Sequence, residues 1–484
     1  MTTAILVGGL IVTLLVAIAM RRPEWRVPAL IFAILAIPGN VDNLMPQMRL
    51  DPNALANNTG PVVSFVDVLI VWALVLAFRE GRLRRMRPPV AWIVVGAVGF
   101  AALAAAATVI NVAQGADVAA AVRGVIVLGR IPALLALTVA HRGLLGQGRL
   151  VAGGVTLGLI ALLGNGLYTS NDLETVRFTA ATVGRNGFAL ALVVAALIAA
   201  GLAVELWRDA EPRPRLLAAV VFALAAAALF GAIATGTRMA LLAAVPAIVI
   251  GLLVNRSWWS WRGAVGVAAI LAGAVLVSAG AVMWTAEGGR AISVVTDPGD
   301  TVDIITDPGS EPDYSPVRTR TRWWDQAFQM IREDPLTGVG AYQWNFRRYG
   351  MDAQAIEVVA DPHNTYIELA AEYGVPVLAT YLALLVTVVL AALATVWRRA
   401  APTSLSAVST ALAAAALMIP ITELTNSHLF NVRLGAMTWL LLGVALSLTL
   451  VPVVVSRQHG PVTHAETRAS ARDRSVGSGA TPGG

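Results

Sequence analysis

The chain has 484 residues, of which 57% are hydrophobic and 13% charged, with a formal net charge of +6. A mean hydropathy of +0.71 excludes a soluble globular protein, because a soluble fold could not bury so much apolar surface. The positive charge does not indicate nucleic-acid binding, since every basic residue is Arg and most lie in short loops between apolar stretches. The absence of Cys excludes disulfides and thiol-based sites.

Apolar stretches of roughly 17 to 25 residues recur along the chain, each long enough to cross a hydrocarbon core of about 30 Å. They predict an all-α polytopic membrane protein, a helical bundle of about 12–13 transmembrane helices. The N-terminal stretch is predicted to be the first span and not a cleaved signal, because its Arg pair follows the apolar run. The predicted spans are Ala4–Met20, Val27–Pro38, Pro61–Phe78, Val90–Asn111, Val118–Ala140, Leu150–Tyr168, Asn186–Trp207, Leu216–Ala234, Met239–Val254, Gly263–Trp284, Val375–Trp397, Leu405–Ile421 and Leu434–Val455.

Arg-rich turns alternate with Arg-poor turns, and the Arg-rich set is predicted to be cytoplasmic. The predicted outward stretches are Gln47–Gly60, Thr169–Arg185 and, largest, Thr285–Pro362. Residues 1–284 would therefore hold transmembrane helices 1–10, residues 285–362 one large extracytoplasmic loop, and residues 363–455 helices 11–13. Residues 456–484, rich in Ser, Gly, Thr and Arg, are predicted to be a disordered cytoplasmic tail.

The large loop contains an amphipathic helical pattern. Trp324, Ala327, Phe328 and Ile331 share one face of that pattern, which predicts a helix lying on the membrane or against the bundle. Pro335 and the glycine at 338 are expected to end it.

A second helix is predicted after Asp361-Pro362-His363-Asn364. Asp is a favourable N-cap and Pro suits the first turn, so His363 is expected in the first helical turn, where free amides attract anions such as a diphosphate. A His that only hydrogen-bonds a loop is the alternative. The Arg residues nearby favour a functional role, with His363 as a proton acceptor.

Several Arg residues lie in stretches predicted to be outside. A guanidinium matches phosphate oxygens in bidentate fashion and stays charged in a low dielectric. Arg238 is the sharpest candidate, because it lies at the outward end of a span; the alternative is a charge that extends to the interface. Of Arg318, Arg320 and Arg322, one is expected to reach a ligand. The full set is Arg177, Arg185, Arg238, Arg318, Arg320, Arg322, Arg347 and Arg348.

Arg123 and Arg130 lie seven residues apart on one face of an apolar helix. Charges inside a membrane usually face a cavity or a partner. Two interpretations stay open: contact with a lipid diphosphate, or a structural ion pair with Asp117 or Asp67.

The second half of the chain resembles the O-antigen ligase and polymerase family of polyprenyl-diphosphate-linked glycan transferases. No single piece is specific, but their order, spacing and topology agree. The matching pieces are Arg177 with Asn186-Gly-Phe-Ala, Thr237-Arg238, Arg320 with Trp324 and Ala327, Pro335-Leu-Thr-Gly-Val-Gly340, and His363-Asn364 followed by Glu372-Tyr-Gly374. The chain has Thr237 where family members often have Ser.

This resemblance implies a C-type glycosyltransferase-like arrangement, in which a large external loop covers a cavity in a helical bundle. It implies metal-independent transfer of a glycan, without a cofactor, from undecaprenyl diphosphate to an acceptor hydroxyl on the outer face of a bacterial plasma membrane. The implied partners are the lipid-linked donor, a glycan, lipid or cell-wall acceptor, and membrane lipids. His363 would be the base, and Arg238 and Arg320 would bind the diphosphate. The assisting candidates are Arg177, Arg185, Arg318, Arg322 and Asn364.

Two other classes of function compete with a transferase. A transporter or flippase of lipid-linked saccharides also needs intramembrane Arg residues, although the two halves of the chain show no internal repeat of the kind such proteins often carry. A sensor or scaffold whose loop binds a cell-wall polymer is the third interpretation.

Overall fold

The structure is a computed structural model. It describes residues 2–37, 63–86, 88–145, 148–169, 184–208, 212–235, 240, 243–245, 247–250, 316–344, 347, 362–398, 406–427, 429–430 and 432–449. The predicted span Gly263–Trp284, half of Met239–Val254, the stretch Gln47–Gly60 and the tail from 456 lie outside these residues.

All regular elements in these ranges are helical, which confirms the predicted all-α class. Short 3-10 turns occur at Pro23–Trp25 and Leu83–Arg85. The α-helices are α1 (Thr2–Ala19), α2 (Arg26–Ala36), α3 (Phe65–Arg79), α4 (Pro88–Ala113), α5 (Val118–Ala140), α6 (Arg142–Leu145), α7 (Gly148–Thr169), α8 (Gly184–Arg208), α9 (Pro212–Ala234), α10 (Pro316–Glu333), α11 (Thr365–Tyr373), α12 (Val375–Arg398), α13 (Ser406–Glu423) and α14 (Val432–Thr449).

In the described part of the chain, six helices are long and apolar enough to cross a membrane. They lie at Ala91–Ala113, Val118–Ala140, Arg149–Leu167, Gly187–Trp207, Arg213–Ile233 and Val375–Ala394. Shorter apolar helices lie at Leu10–Ala19, Ala407–Glu423 and Leu434–Leu448. The protein is therefore a multi-pass membrane protein, as predicted, while the number of 12–13 spans stays a prediction.

Helix α8 is the most buried of these spans and packs against α7, α9 and α13. Helix α2 is short and almost entirely buried, and it packs along α7. A Cβ added to Gly154 would lie 2.6 Å from the carbonyl oxygen of Pro28, and one added to Gly158 would lie 2.6 Å from Leu35. This small-xxx-small spacing lets two backbones approach closely, which is how membrane helices pack without a hydrophobic driving force.

Several turns that are predicted to lie on the same side of the membrane contact one another in the structure. Arg26, Glu80 and His141, from three predicted cytoplasmic turns, contact one another. At the other end of α5, the segment after α10 contacts the end of α4 and the turn after α13. The contacts therefore group these turns at two ends of α5, and which end faces the cytoplasm stays a prediction.

The Arg26 guanidinium is fully buried and joins these turns. It donates from Nε to the carbonyl of Met20 at 2.9 Å, from Nη1 to Glu80 at 3.0 Å, and from Nη1 to Nε2 of His141 at 3.0 Å. A guanidinium can only donate, so Nε2 of His141 accepts, and the ring proton sits on Nδ1, which donates to the carbonyl of Leu137 at 2.8 Å. The site therefore holds a neutral imidazole.

Acid is expected to destabilise the fold through His141. Desolvation lowers the pKa of His141 to about 4, from an ordinary value of 6.5. Below pH 6.5 the imidazole of His141 binds a proton in the unfolded chain but not in the folded chain. The free energy of unfolding therefore falls by up to about 3 kcal/mol between pH 6.5 and 4. Thermal unfolding of detergent-solubilised protein at pH 7.5, 6 and 5 measures this loss.

The variant His141→Gln is the control, since it removes the titrating ring and should flatten the pH dependence above pH 5. Glu80 does not confound the result, because its hydrogen bond to Arg26 lowers its pKa to about 2, and its contribution is lost only below about pH 4.5. An unchanged slope in His141→Gln would contradict the assignment.

Candidate active site

Two of the sequence motifs that carry the family resemblance pack directly on each other. After α10, the loop Pro335–Gly340 lies across the C-terminal end of α11. The amide of Val339 donates to the carbonyl of Ala371 at 2.8 Å, and the amide of Gly340 donates to the carbonyl of Glu372 at 3.0 Å. The amide of Val375 in turn donates to the carbonyl of Pro335 at 2.8 Å. The loop thus satisfies carbonyls that the end of a helix leaves open.

Two glycines make this contact possible. Gly338 has φ +65° and Gly374 has φ +88°, in the left-handed region that side chains disfavour. A Cβ on Gly338 would lie 2.4 Å from the carbonyl carbon of Glu372, and a Cβ on Gly374 would lie 2.3 Å from the carbonyl oxygen of Leu336. Because both obstacles are backbone atoms, no side-chain rotation can relieve them.

Helix α10 packs on α11 through a small hydrophobic cluster that is separate from the main core. Its buried members are Trp323, Ala327, Met330, Trp344 and Ala371. The amphipathic helix is confirmed, and it lies against α11, but the predicted face is wrong by one position. Trp323 points inward, Trp324 is half-buried and Phe328 is exposed, because the helix turns its smallest residue, Ala327, toward α11 with Trp323 and Met330 on either side.

His363 does not lie in a helix, which corrects the predicted position in a first turn. Helix α11 begins at Thr365, and its N-cap is Asn364, whose Oδ1 accepts from the amides of Tyr366 at 3.0 Å and Ile367 at 3.1 Å. The amide group of Asn364 also donates to the carbonyl of Leu424 at 2.9 Å. Since Asn364 captures the first free amides, His363 is left before the helix, with φ +53°.

Two tryptophans of α10 hold this residue. The Trp323 ring meets the His363 imidazole nearly at right angles, with centroids 5.5 Å apart. The indole Nε1 of Trp324 donates to the carbonyl of Pro362, directly before His363, at 2.9 Å. The sequence analysis placed Trp324 in the family resemblance without a role at the site, and it did not single out Trp323. The adjacency of the two tryptophans within an amphipathic stretch is the further signal that could have suggested their role.

The candidate Arg residues differ in placement. Arg320 lies three residues before Trp323, on the same helical face, and is partly exposed, whereas Arg322 is exposed. The structure describes Arg318 and Arg185 only as backbone positions of α10 and α8, and Arg177, Arg238 and Arg348 lie outside the described residues. The guanidinium of Arg347 approaches Asp334 to 4.0 Å. His363, Asn364 and Arg320 are therefore brought to one region, and convergence with Arg238 stays a prediction.

Helix α5 and the end of α4 support this region from the first half of the chain. Arg123 lies over the Tyr342 ring, 4.3 Å from its centroid. Nδ2 of Asn111 donates to the carbonyl of Thr337 at 2.9 Å. A Cβ on Gly124 would lie 2.2 Å from the hydroxyl of Tyr373, so only Gly allows this approach. The cation–π contact decides neither of the two interpretations of Arg123. It places the guanidinium beside Tyr342, two residues after the Pro335–Gly340 loop.

Tyr342 is a further residue that sequence reasoning missed. It has φ +55°, and its ring contacts Phe430 edge to face at 5.9 Å. Desolvation raises the pKa of Tyr342; the Arg123 guanidinium opposes the rise, and the carboxyl groups of Glu372 and Glu368 add to it. Of these charged groups, the Arg123 guanidinium lies directly over the ring.

Arg130 forms an ion pair, which decides one of the two alternatives for this residue. Its Nε and Nη2 donate to the two carboxylate oxygens of Asp67 at 2.6 and 2.7 Å. Both side chains are largely buried, and Asp67 also accepts from the amide of Ser64 at 2.8 Å. Asp117 instead caps α5 by accepting from the amide of Ala120.

Breaking this pair is expected to destabilise the protein. The variant Arg130→Met leaves Asp67 buried without its cation, which costs about 3 kcal/mol. The double variant Asp67→Asn/Arg130→Met should lose less than the sum of the two single variants, because it leaves no buried charge. Thermal unfolding of the four proteins measures the coupling, and additive losses would argue against the pair as a structural element.

Within the residues that the structure describes, no group of three or more His, Cys, Asp or Glu side chains could hold a metal ion. Metal-independent chemistry stays a prediction.

The described residues define a multi-pass helical membrane protein in which α10 packs on α11 and contacts His363. Residues 223–382 match the family model described as O-antigen ligase. This confirms the predicted resemblance to that family, and the matched residues include α10, the Pro335–Gly340 loop, α11 and the start of α12. This match supports glycan transfer at a membrane. No curated protein matches the chain.

Proposed function

We propose that this protein transfers a glycan from a polyprenyl-diphosphate carrier to an acceptor hydroxyl at the outer face of a bacterial plasma membrane, with His363 as the base. The observation that carries the proposal is the placement of His363. Within the matched residues, its imidazole is fixed at the start of α11 by a helix that also presents Arg320.

The proposed reaction is a displacement at the anomeric carbon of the carrier-linked sugar. The acceptor hydroxyl attacks this carbon, the bond to the diphosphate oxygen breaks, and the hydroxyl proton passes to an imidazole nitrogen of His363. Polyprenyl diphosphate leaves as a stable anion, so the step needs fixed positive charge more than an acid. Attack opposite the leaving group would invert the anomeric centre, which NMR of the product tests.

The proposed cations for the diphosphate are Arg320 and Arg238, with Arg177 or Arg185 assisting and Arg318 and Arg322 as further candidates. A guanidinium fork binds two phosphate oxygens at once and keeps its charge where water is scarce. We assign Asn364 to the support of His363, because its side chain already caps α11 and donates to the carbonyl of Leu424.

The test of this function is a strain that lacks the gene. A transferase predicts that one glycoconjugate disappears while its lipid-linked precursor accumulates on the outer leaflet. Purified protein added to membranes of that strain should then restore joining without an energy source. Accumulation of the precursor on the inner leaflet would favour a flippase instead, and an unchanged set of glycoconjugates would favour a sensor or scaffold.

A further inference from the structure

We infer that Trp323 and Trp324 are positioning residues for His363: one fixes the imidazole, and the other fixes the peptide that precedes it. This inference rests on the proposed function of His363 as the base, and it assigns to α10 the task of setting where that base stands.

The first contact fixes the backbone. The indole Nε1 of Trp324 donates to the carbonyl oxygen of Pro362 at 2.9 Å, and the Trp324 side chain is half-buried. The next residue along the chain is His363. On its other side, Asn364 is bound to the amides of Tyr366 and Ile367. The backbone of His363 is therefore held on both sides, by α10 before it and by α11 after it.

The second contact fixes the ring. Trp323 is only 8% exposed, and it packs in the cluster with Ala327, Met330 and Trp344. A tryptophan wedged in this way cannot move aside, so its edge-to-face contact with the imidazole limits rotation of that ring. A base must lie within hydrogen-bond reach of the proton that it takes, and a free ring would spend much of its time elsewhere.

The conformation of His363 explains why such support is needed. A φ of +53° in a residue with a side chain costs about 1 kcal/mol and persists only where the surroundings enforce it. Without the bond from Trp324, the peptide at 362–363 can relax to a negative φ. That rotation would swing the imidazole away from its present direction while leaving the Asn364 cap and α11 in place.

Helix α10 also carries Arg320, about one turn before Trp323 on the same face. One rigid helix thus sets both the base and a candidate cation for the diphosphate. The distance between the proton acceptor and the leaving group would then be fixed by helical geometry and not by a loop.

The experiment compares substitutions that separate these contacts. Membranes of the gene-deletion strain supply precursor and acceptor, and purified undecaprenyl diphosphate is the probe for binding. Trp324→Phe, which removes the N–H donor and keeps one aromatic ring, should lower the rate at saturating precursor about 10-fold, with the half-saturating precursor concentration and the affinity for undecaprenyl diphosphate unchanged. Trp323→Phe should keep most of the rate, because a ring remains, whereas Trp323→Ala should lower it about 10-fold.

The matched control is Trp92→Phe, the same chemical change at a residue of α4 that is 71% exposed, and it should behave as wild type. A role in packing alone predicts that Phe costs no more at position 324, where the side chain is half-buried, than at position 323, where it is buried. A wild-type rate in Trp324→Phe therefore overturns the inference, as does a loss that matches a loss of folded protein or appears in affinity instead of rate. If His363→Ala keeps the full rate, the proposed function itself fails. If His363→Ala is inactive while the Trp variants are active, only the positioning role fails.

Discussion

Replacing His363 with Ala is expected to lower the rate of glycan joining by about 10²- to 10⁴-fold, the usual contribution of a general base. The attacking hydroxyl would have to lose its proton to water, while the guanidiniums would still bind the diphosphate. Donor affinity should therefore stay close to wild type. The rate is measured by adding purified variant to membranes of the gene-deletion strain.

A His→Ala change in the predicted cytoplasmic tail, His464→Ala, is the matched control and should have no effect. Abundance and thermal unfolding should be unchanged in both variants, because the His363 side chain is partly exposed and carries none of the cap contacts of α11. Full activity of His363→Ala would remove the base from the proposed reaction. A loss of donor affinity equal to the loss of rate would make His363 a binding residue instead.

Replacing Gly338 with Ala is expected to damage both the fold and the activity strongly. The new Cβ would lie 2.4 Å from the carbonyl carbon of Glu372 and 2.5 Å from the amide nitrogen of Tyr373. The loop would have to lift from α11, with loss of the two hydrogen bonds from Val339 and Gly340. We expect a loss of about 2–4 kcal/mol in the free energy of unfolding and a strongly reduced joining rate.

Gly81→Ala separates backbone strain from this overlap. Gly81 has φ +68°, almost the same as Gly338 at +65°, but a Cβ there would meet no atom within 4 Å. The control should therefore lose only about 1 kcal/mol and keep its activity. Thermal unfolding and joining rates of both variants give the comparison. Equal losses would mean that the loop does not press on α11.

The helical architecture could be predicted from the sequence because a long apolar run predicts a membrane-spanning helix whichever helices it packs against. Contact between the Pro335–Gly340 loop and the Glu372–Gly374 segment was not predicted as such, although both were singled out. The glycines of the two segments gave part of this information, because glycine is typical of positions with positive φ and of places where two backbones approach closely. Which backbone approaches which is a tertiary property, and it requires the structure.

Other features of the site depend on partners that a local pattern cannot reveal. Asp361 and Asn364 are both favourable N-cap residues. Asn364 is the N-cap of α11 in the structure, where its side-chain amide group also donates to the carbonyl of Leu424. Trp323 and Trp324 are adjacent, so the face that α10 buries depends on the surface of α11. Arg123 and Arg130 lie on the same face of α5, yet Arg123 lies over Tyr342 and Arg130 pairs with Asp67 of α3.

The chain enters the stretch before His363 at Trp344 and leaves it at Pro362, and both ends are tied down. The amide of Trp344 donates to the Glu372 carboxylate, and Pro362 is held by Trp324. Both anchors are contacts with α10 or α11, so the position of the imidazole depends on the packing of these two helices on each other.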